Sequence, residues 1–168
     1  MQTLTQQETY ELFESMRVAG YVQTFRKIAP IKMRLATPGE VIVTITNEKE
    51  TSRTAKENEV VITNICSPYE EQQITSLQKA KELYFPDYLG SYPTTADRET
   101  LHFPKPEVRY AYEYRGVPIY ITANWGETMP VYFGDFIQSL FMDGIDTNGK
   151  TDVYRVQKDI FGPTFVQI

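Results

Sequence analysis

Apolar residues recur at helical spacing near the start of the chain, and polar residues fill most positions between them. The apolar stripe consists of Tyr10, Phe13 and Met16, with Leu12 beside them. Thr5 and Glu8 stand where a capping box would satisfy opposed backbone amides at a helix start, and Gly20 is a suitable stop. The pattern therefore predicts an N-terminal helix within residues 1–25.

After residue 28 the apolar residues alternate with polar ones, which is the period of a half-buried strand. Alternation and short apolar runs predict strands at 31–35, 41–45, 60–66, 108–114, 117–121, 136–141, 153–156 and 160–168. Pro38-Gly39 predicts a hairpin from the first two of these strands, and Asn148-Gly149 predicts one from the sixth and seventh. The polar residues 48–59 predict a loop, and residues 74–84 predict a short helix.

Residues 89–106 are rich in proline and poor in periodic apolar residues, which is typical of a linker. The chain then divides into an N-terminal helix (1–25), a first β-rich unit (26–88), the linker (89–106) and a second β-rich unit (107–168). We expect an α+β fold in which the helix is followed by two small, related units with antiparallel, barrel-like sheets.

Four short sequences of the first unit recur in the same order in the second unit. The pairs are Pro30-Ile31 with Pro118-Ile119, Glu50-Thr51 with Glu127-Thr128, Glu59-Val60-Val61 with Asp135-Phe136-Ile137, and Gln78-Lys79 with Gln157-Lys158. Their common order predicts that the two units are copies of one module. Chance matching of such short pairs is the alternative.

The composition narrows the function classes. The chain is 41% hydrophobic and 13% aromatic, which favours a folded globule over a disordered chain. A net charge of -5 argues against a nucleic-acid partner, because phosphate contacts need clustered Lys and Arg. No apolar stretch approaches the roughly 18 residues of a membrane span, and the N-terminus carries no secretory pattern. These features predict a cytoplasmic protein without a membrane partner.

A single cysteine and a single histidine limit the possible chemistry. Cys66 excludes an internal disulfide, and its apolar surroundings predict a buried structural thiol. His102 lies in the proline-rich segment, where we expect a loop histidine without a catalytic role. One imidazole and one thiol cannot form an ordinary transition-metal site, so we predict neither a metal nor a cofactor.

No motif in the sequence identifies a reaction. The chain has no G-x-S-x-G nucleophile motif, no phosphate-binding glycine loop and no dinucleotide fingerprint. Residues 143–152 resemble a calcium loop superficially, but aligning Gly149 with the obligatory glycine puts Gly144 and Arg155 where carboxylates are required. We therefore predict no catalytic residue, and a hairpin turn in place of a calcium site.

A ligand site, if there is one, should involve Trp125, Glu127, Asp135, Tyr154 and Arg155. The sequence Trp125-Gly126-Glu127 combines a large π face, a flexible neighbour and a charge. Arg155, with Tyr154 before it, could supply an anion-binding fork from a nearby strand. The alternative is that the tryptophan fills the core and the arginine pairs with a surface acid.

Aromatic residues also mark one strand. Tyr110, Tyr112 and Tyr114 alternate and should share one face of strand 108–114. Such a face can be part of the core or a platform for a base or a partner peptide, and core packing is the prediction.

Two stretches of the chain share a pattern with a known family. The first is residues 54–64, and the second is Phe133-Gly134-Asp135-Phe136-Ile137 with Asp152-Val153-Tyr154-Arg155-Val156 and the pair Phe161 and Phe165. Both stretches resemble the PGDYG-type domains, small modules of bacteria, phages and mobile elements. Glu57-Asn58-Glu59 replaces Pro-Gly-Asp in the first copy, and Phe133 replaces the proline in the second. The resemblance implies a fold and a phage or bacterial setting, with no activity attached. The Gly-Asp corner also makes sense without a ligand, since Gly134 can take a positive φ and Asp135 can accept amide hydrogen bonds.

These observations predict a non-catalytic binding or accessory protein that engages a protein partner or a small molecule through the groove between the two units. An enzyme acting on a small nucleotide-like metabolite is one alternative. A structural subunit of a homo-oligomer is the other. An enzyme needs perturbed carboxylates in a concave pocket, whereas a binding protein needs an exposed apolar patch or cleft.

Overall fold

The structure is a computed structural model and describes residues 1–45 and 50–168. The chain folds into two compact units. Unit 1 consists of Met1–Lys27 and Glu107–Ile168, and unit 2 consists of Ile28–Pro106. The second unit is therefore an insertion in the sequence of the first.

Three helices and fourteen strands are formed by the described residues. The N-terminal part of unit 1 contains α1 (Gln6–Val18) and β1 (Gln23–Lys27). Unit 2 contains β2 (Ile31–Leu35), β3 (Val41–Ile45), β4 (Glu50–Thr54), β5 (Glu59–Thr63), β6 (Gln72–Ser76), α2 (Leu77–Leu83), β7 (Tyr84–Pro86) and β8 (Thr100–Pro104). The C-terminal part of unit 1 contains β9 (Val108–Glu113), β10 (Ile119–Thr122), β11 (Thr128–Val131), β12 (Phe136–Ser139), β13 (Tyr154–Val156), α3 (Lys158–Thr164) and β14 (Phe165–Gln167). Strands joined by antiparallel pairing and three helices make this an α+β fold.

The predicted N-terminal helix is confirmed as α1. The Thr5 hydroxyl accepts a hydrogen bond from the Glu8 amide, and the Glu8 carboxylate accepts one from the Thr5 amide. At the other end, the Gly20 amide donates to the Arg17 carbonyl and Gly20 has a φ of 86°. This positive φ turns the chain back at the helix C-terminus, where glycine has no steric penalty.

Unit 1 contains a five-stranded sheet in the order β13-β12-β9-β1-β14 and a separate hairpin of β10 and β11. All neighbouring strands in the sheet are antiparallel. One sheet face packs with α1 and the hairpin around Phe13, Tyr112, Ile119, Ile121, Val131, Ile137 and Val153. The other face packs with α3 around Phe25, Ala111 and Phe161.

Unit 2 contains a five-stranded sheet in the order β6-β5-β2-β8-β7 and a separate hairpin of β3 and β4. Its neighbouring strands are also antiparallel. One cluster, which includes α2, consists of Ile31, Met33, Val60, Ile62, Ala80 and Tyr84. The cluster that contains Ile42 of the hairpin also holds Ala36, Ala55, Val61 and Ile74.

The two sheets have the same order of strands when β2, β5, β6 and β7 are matched with β9, β12, β13 and β14. A hairpin follows the first strand of each set, and a seven-residue helix precedes the last one. The two units differ in where the fourth strand of the sheet lies in the sequence. In unit 2 it is β8, which follows the other strands, and in unit 1 it is β1, which precedes them.

Matching carboxylates mark the start of the second strand of each set, since Glu59 is the first residue of β5 and Asp135 directly precedes β12. Glu59 pairs with Ser76, the residue before α2, and Phe136 pairs with Val156, two residues before α3, so Asp135 stands at the corresponding place. The Lys56 amide donates to Glu59 Oε1 at 2.7 Å, just as the Tyr132 amide, three residues before Asp135, donates to its Oδ2 at 2.9 Å.

The predicted barrel-like closure is wrong for the sheets of the described residues, because each sheet has two edge strands. These are β13 and β14 in unit 1, and β6 and β7 in unit 2.

The first predicted hairpin is also wrong. The turn exists, since the Glu40 amide donates to the Thr37 carbonyl at 3.0 Å. However, β2 is the central strand, with β5 and β8 on its two sides, so β3 leaves the sheet and pairs with β4. The other predicted hairpin is confirmed, because β12 pairs with β13.

Several boundaries differ from the prediction. The predicted loop 48–59 contains β4, whose five residues are all exposed, and its residues 48 and 49 lie outside the described residues. The predicted helix 74–84 begins as β6, and the predicted strand 160–168 begins as α3. β1 falls in the segment assigned to the N-terminal helix and its junction.

The chain divides differently from the expected helix, unit, linker and unit. The expected linker 89–106 contains β8, which pairs with β2 and β7 inside unit 2. Its His102 is fully buried in that strand, where we expected a loop histidine. The predicted burial of Cys66 is also wrong, since this thiol is exposed. β5 ends at Thr63, before the cysteine, which leaves it in the loop that leads to β6.

Across the described residues, none of the three helices combines the length and the apolar character needed to cross a membrane.

Candidate functional site

The structure brings three of the five predicted site residues together in unit 1. Trp125 lies in the turn between β10 and β11, with a relative exposure of 56%. Its Nε1 donates a hydrogen bond to Glu127 Oε2 at 2.9 Å, and its ring lies 6.0 Å from the ring of Tyr154. The Tyr154 hydroxyl accepts a hydrogen bond from Gln138 Nε2 at 2.8 Å, and burial raises the pKa of this phenol to about 12. The tryptophan therefore does not fill the core.

The other two predicted residues stabilise the fold. The Asp135 carboxylate accepts hydrogen bonds from the amides of Tyr132 and Lys158, at 2.9 and 3.0 Å, which closes a turn and caps α3. Arg155 Nη1 lies 4.0 Å from Asp135 Oδ2, and both side chains are buried. Gly134 has a φ of 93°, as expected for this corner. Asp135 is 3% exposed, so its carboxylate is not open to a ligand from solvent.

The geometry of β13 separates the two groups. Tyr154 and Arg155 are consecutive residues of one strand, so their side chains point to opposite faces of the sheet. Tyr154 pairs with Gln138 in the register, while Arg155 pairs with Ile137, a residue of the α1-side core. One ligand site cannot use both side chains in the predicted way.

A different part of unit 1 offers a concave surface. A groove of about 600 Å³ lies where the end of α1 meets the end of β9. We call it the Tyr112 groove, and it is lined by Met16, Gly20, Tyr21, Gln23, Tyr112, Glu113, Tyr114, Arg115 and Gly116. Its wall is mostly apolar and aromatic, which is typical of small-molecule sites.

Local sequence explains how the groove is built. The positive φ of Gly20 reverses the chain between α1 and β1, so that both elements contribute to the wall. Across the groove, a Cβ on Gly116 would come within 2.5 Å of the Tyr114 hydroxyl, so only glycine leaves room for that ring. The Tyr114 hydroxyl donates to the Val117 carbonyl at 2.6 Å and fixes the ring in this place.

Tyr112 is the polar residue of the groove with an unsatisfied group. The residue is 4% exposed, and its hydroxyl has no hydrogen-bond partner among the described residues. Burial raises the pKa of this phenol, so that the group keeps its proton and can donate. A buried hydroxyl without a partner costs free energy. Its oxygen is closed to solvent, so a ligand acceptor would have to displace part of the groove wall to reach it and recover that free energy.

The mouth of the groove carries a pair of opposite charges. Arg115 Nε donates to the Glu113 carboxylate at 3.0 Å, and the arginine side chain is 72% exposed. A pair this open to water contributes little to stability. It can exchange one partner for a ligand group at small cost.

Unit 2 has a smaller pocket of about 230 Å³. It is lined by a loop and by the start of β8, with the residues Leu89, Gly90, Ser91, Tyr92, Pro93, Thr94, Thr95, Arg98 and Thr100. Beside it, the Tyr92 ring stacks on His102 at 5.7 Å, and the Thr100 hydroxyl lies 2.8 Å from His102 Nε2. Burial lowers the pKa of His102, which keeps the imidazole neutral.

Some of the residues that line the Tyr112 groove were predictable from the sequence. The alternating tyrosines were predicted to lie on one face, and all three do pack against the core around Phe13, as predicted. Tyr21 and Gln23 had no signal, because Tyr21 lies in the connection after the helix stop and Gln23 begins the unpredicted strand β1. In the described part of the chain, no three His, Cys, Asp or Glu side chains come close enough together to hold a metal ion.

Comparisons with known proteins found no relative of the chain: no protein-family model, curated protein or solved structure matches it.

Proposed function

We propose that this chain is a non-catalytic binding protein built from two copies of a PGDYG-type module, and that the Tyr112 groove is its ligand site. The unpartnered, buried hydroxyl of Tyr112 carries the second part of this proposal. The ligand that fits is a small planar molecule with an apolar face for the tyrosine rings and a hydrogen-bond acceptor for the hydroxyl. A phage or bacterial accessory role in the cytoplasm is consistent with the resemblance.

Duplication is supported by the common strand order of the two sheets and by the matching carboxylates Glu59 and Asp135. Each is preceded by a residue of positive φ, Asn58 at 60° and Gly134 at 93°. Of the short sequence matches, the pair around these carboxylates coincides with the strand register. Pro30-Ile31 and Pro118-Ile119 do not coincide, since Ile31 begins a sheet strand, β2, and Ile119 begins a hairpin strand, β10.

Binding fits the groove better than catalysis does. The buried titratable group on its wall is Tyr112, and its raised pKa means that it holds a proton at neutral pH. Such a group donates a hydrogen bond but does not abstract a proton, as a general base would have to. An acidic carboxylate at the mouth, Glu113, is already engaged by Arg115.

The test is a fragment screen by thermal shift on the full chain, with Tyr112→Phe and Tyr110→Phe as variants. Tyr110 lies on the same strand and packs against the same core without lining the groove. We expect aromatic fragments with an acceptor to raise the melting temperature of the wild type and of Tyr110→Phe. Affinity for Tyr112→Phe should be about tenfold weaker, the effect of one lost hydrogen bond. Equal binding to both variants would refute the assignment.

A further inference from the structure

The two hairpins differ in what covers their outer edge. In unit 1, the N-terminal residues run parallel to β10 and bridge Thr3 to Tyr120. The Tyr120 amide donates to the Gln2 carbonyl and the Leu4 amide donates to the Tyr120 carbonyl, each at 2.8 Å. Leu4 then packs against the core around Phe13. This hairpin is therefore extended by an added strand.

Val41 of β3 corresponds to Tyr120 of β10. Ala55 stands four residues before Glu59, just as Val131 stands four residues before Asp135. The Ala55 amide donates to the Glu40 carbonyl at 2.8 Å, and Val131 pairs with Ile119. Val41 and Tyr120 are the residues that follow these partners, so each occupies the same place on its hairpin.

The main-chain groups of Val41 point away from β4. Glu40 and Ala55 face each other through a hydrogen bond, and in an antiparallel ladder the next pair, Val41 and Thr54, directs its amides and carbonyls outward. In unit 1 the residue at the place of Thr54 is Pro130, which has no amide to donate. Among the described residues, no strand pairs with the outer edge of β3.

The edge also carries an apolar stripe. Val41, Val43 and Ile45 share one face and are 57%, 43% and 57% exposed. Their neighbours across the hairpin on this face are Thr54, Ser52 and Glu50, so the stripe meets a charged side chain only beside Ile45. Ile42, on the opposite face, is buried in the core of unit 2. An unpaired strand edge beside exposed apolar side chains is a template for an added strand.

We propose that the outer edge of β3 binds an extended, uncharged peptide segment of another protein, which runs parallel to β3 as residues 2–4 run along β10. The segment places a β-branched or other apolar side chain beside Val41, where Thr3 lies beside Tyr120 in unit 1. Main-chain hydrogen bonds to Val41 supply the affinity, and the apolar stripe supplies the preference for side chains. This site is separate from the Tyr112 groove and does not depend on a ligand there, although it uses the same match between the two units that supports the proposed duplication.

The probe is the acetylated, amidated pentapeptide Met-Gln-Val-Leu-Thr, which copies the N-terminus with valine in place of threonine. Titration into the ¹⁵N-labelled full chain should shift the amide signals of residues 41–45. A second peptide, methylated on the leucine amide nitrogen, cannot make the bond that the Leu4 amide makes to Tyr120. We expect it to bind at least about tenfold more weakly. Equal affinity, or shifts that map elsewhere, would overturn the proposal.

Two proline variants test the edge from the protein side. Val41→Pro removes the outward amide of β3, whereas Thr54→Pro removes the outward amide of β4, at the place where unit 1 already has Pro130. We expect Val41→Pro to lose the peptide and Thr54→Pro to keep it. Sedimentation of the unliganded chain tests whether a second copy of the chain occupies the edge instead of a peptide. A dimer whose amide signals at residues 41–45 move with protein concentration would mean that a second copy occupies the edge, and would contradict a peptide partner.

Discussion

At the scale of single residues, a few buried polar groups stabilise each unit from within. Glu59 and Asp135 are 8% and 3% exposed, and each accepts the amide three residues earlier. Asp135 also receives the first amide of α3, and Glu59 pairs with Arg53. One carboxylate thus fixes a turn, a strand start and, in unit 1, a helix start. Apolar packing alone would leave these amides without acceptors.

Replacement of Asp135 by alanine should be among the most damaging changes in unit 1. It removes the acceptor of two amides and a carboxylate that lies 4.0 Å from the buried guanidinium of Arg155. We expect a loss of about 3 kcal/mol in the free energy of unfolding, measured by urea denaturation. Asp146→Ala is the matched control, because Asp146 accepts two amides in a more exposed loop. It should lose about 1 kcal/mol; equal losses in the two variants would contradict a role for burial.

His102 predicts a pH dependence of stability. Burial lowers its pKa in the folded state, and the nearby Asp87 offsets this only in part. Below the unfolded value of about 6.5, the unfolded chain binds the proton more readily than the folded one. The free energy of unfolding should therefore fall as pH falls through about 6.5, and this decline should stop below the folded pKa. Urea midpoints between about pH 5 and 8 measure it. His102→Phe, which removes the single histidine, should abolish this step; an unchanged slope would contradict the assignment.

At the scale of elements, tight turns decide where strands begin. Asn58 and Gly134 precede Glu59 and Asp135 with positive φ values. A Cβ on Gly134 would also lie 3.2 Å from the Lys158 side chain, which can move away. The backbone conformation, more than space, therefore limits this position to glycine or a residue such as asparagine.

Gly134→Ala should lower the free energy of unfolding by about 1–2 kcal/mol, because alanine is strained at this φ. Asn58→Gly, at the corresponding turn of unit 2, should change it by less than about 0.5 kcal/mol, since glycine adopts the conformation freely. Chemical denaturation of the two variants beside the wild type measures both values. A Gly134→Ala variant as stable as the wild type would show that the turn can relax.

Elements with a local signal were predictable from the sequence. The capping box and the helical stripe define α1, and the apolar runs define β2, β5 and β12. β4 lacked any signal, because all five of its residues are exposed and its place depends on pairing with β3. Partner strands are fixed by contacts distant in the sequence, so a turn such as Thr37–Glu40 could not reveal that β3 leaves the sheet.

The candidate site, too, was predictable only where a local sequence pattern marks its residues. Alternation placed Tyr110, Tyr112 and Tyr114 on one face, and the structure agrees. It could not show that the face meets the end of α1, because that meeting depends on β1, which no periodic pattern marks. The prediction that joined Tyr154 with Arg155 overlooked that consecutive strand residues point to opposite faces.

At the scale of the whole molecule, each sheet takes its fourth strand from an unexpected part of the sequence. β1 pairs with β9 and β14, although only three residues separate it from β2 of the other unit. The same separation of three residues lies between β8 and β9. If the chain consists of two copies that each begin with this strand, the copies have exchanged their first strands. Such an exchange is the intramolecular form of domain swapping.

Native-state hydrogen exchange tests which unit β1 belongs to energetically. Asp135→Ala destabilises unit 1, so the amides of β1 should exchange faster in this variant, together with those of β9. Amides of β2 should keep their wild-type rates, despite lying a few residues from β1 in the sequence. Faster exchange in β2 alone, or equal acceleration in both strands, would contradict the assignment of β1 to an independent cooperative unit.

We propose that unit 1 binds its ligand in the Tyr112 groove and not at the Trp125 turn. The most direct measurement is the location of amide shift changes in the ¹⁵N-labelled full chain when an aromatic fragment with a hydrogen-bond acceptor is added. We expect changes at residues 20–23 and 112–116, and we expect these changes to disappear in Tyr112→Phe. Changes confined to residues 123–128 and 154, or changes that persist unaltered in Tyr112→Phe, would contradict it.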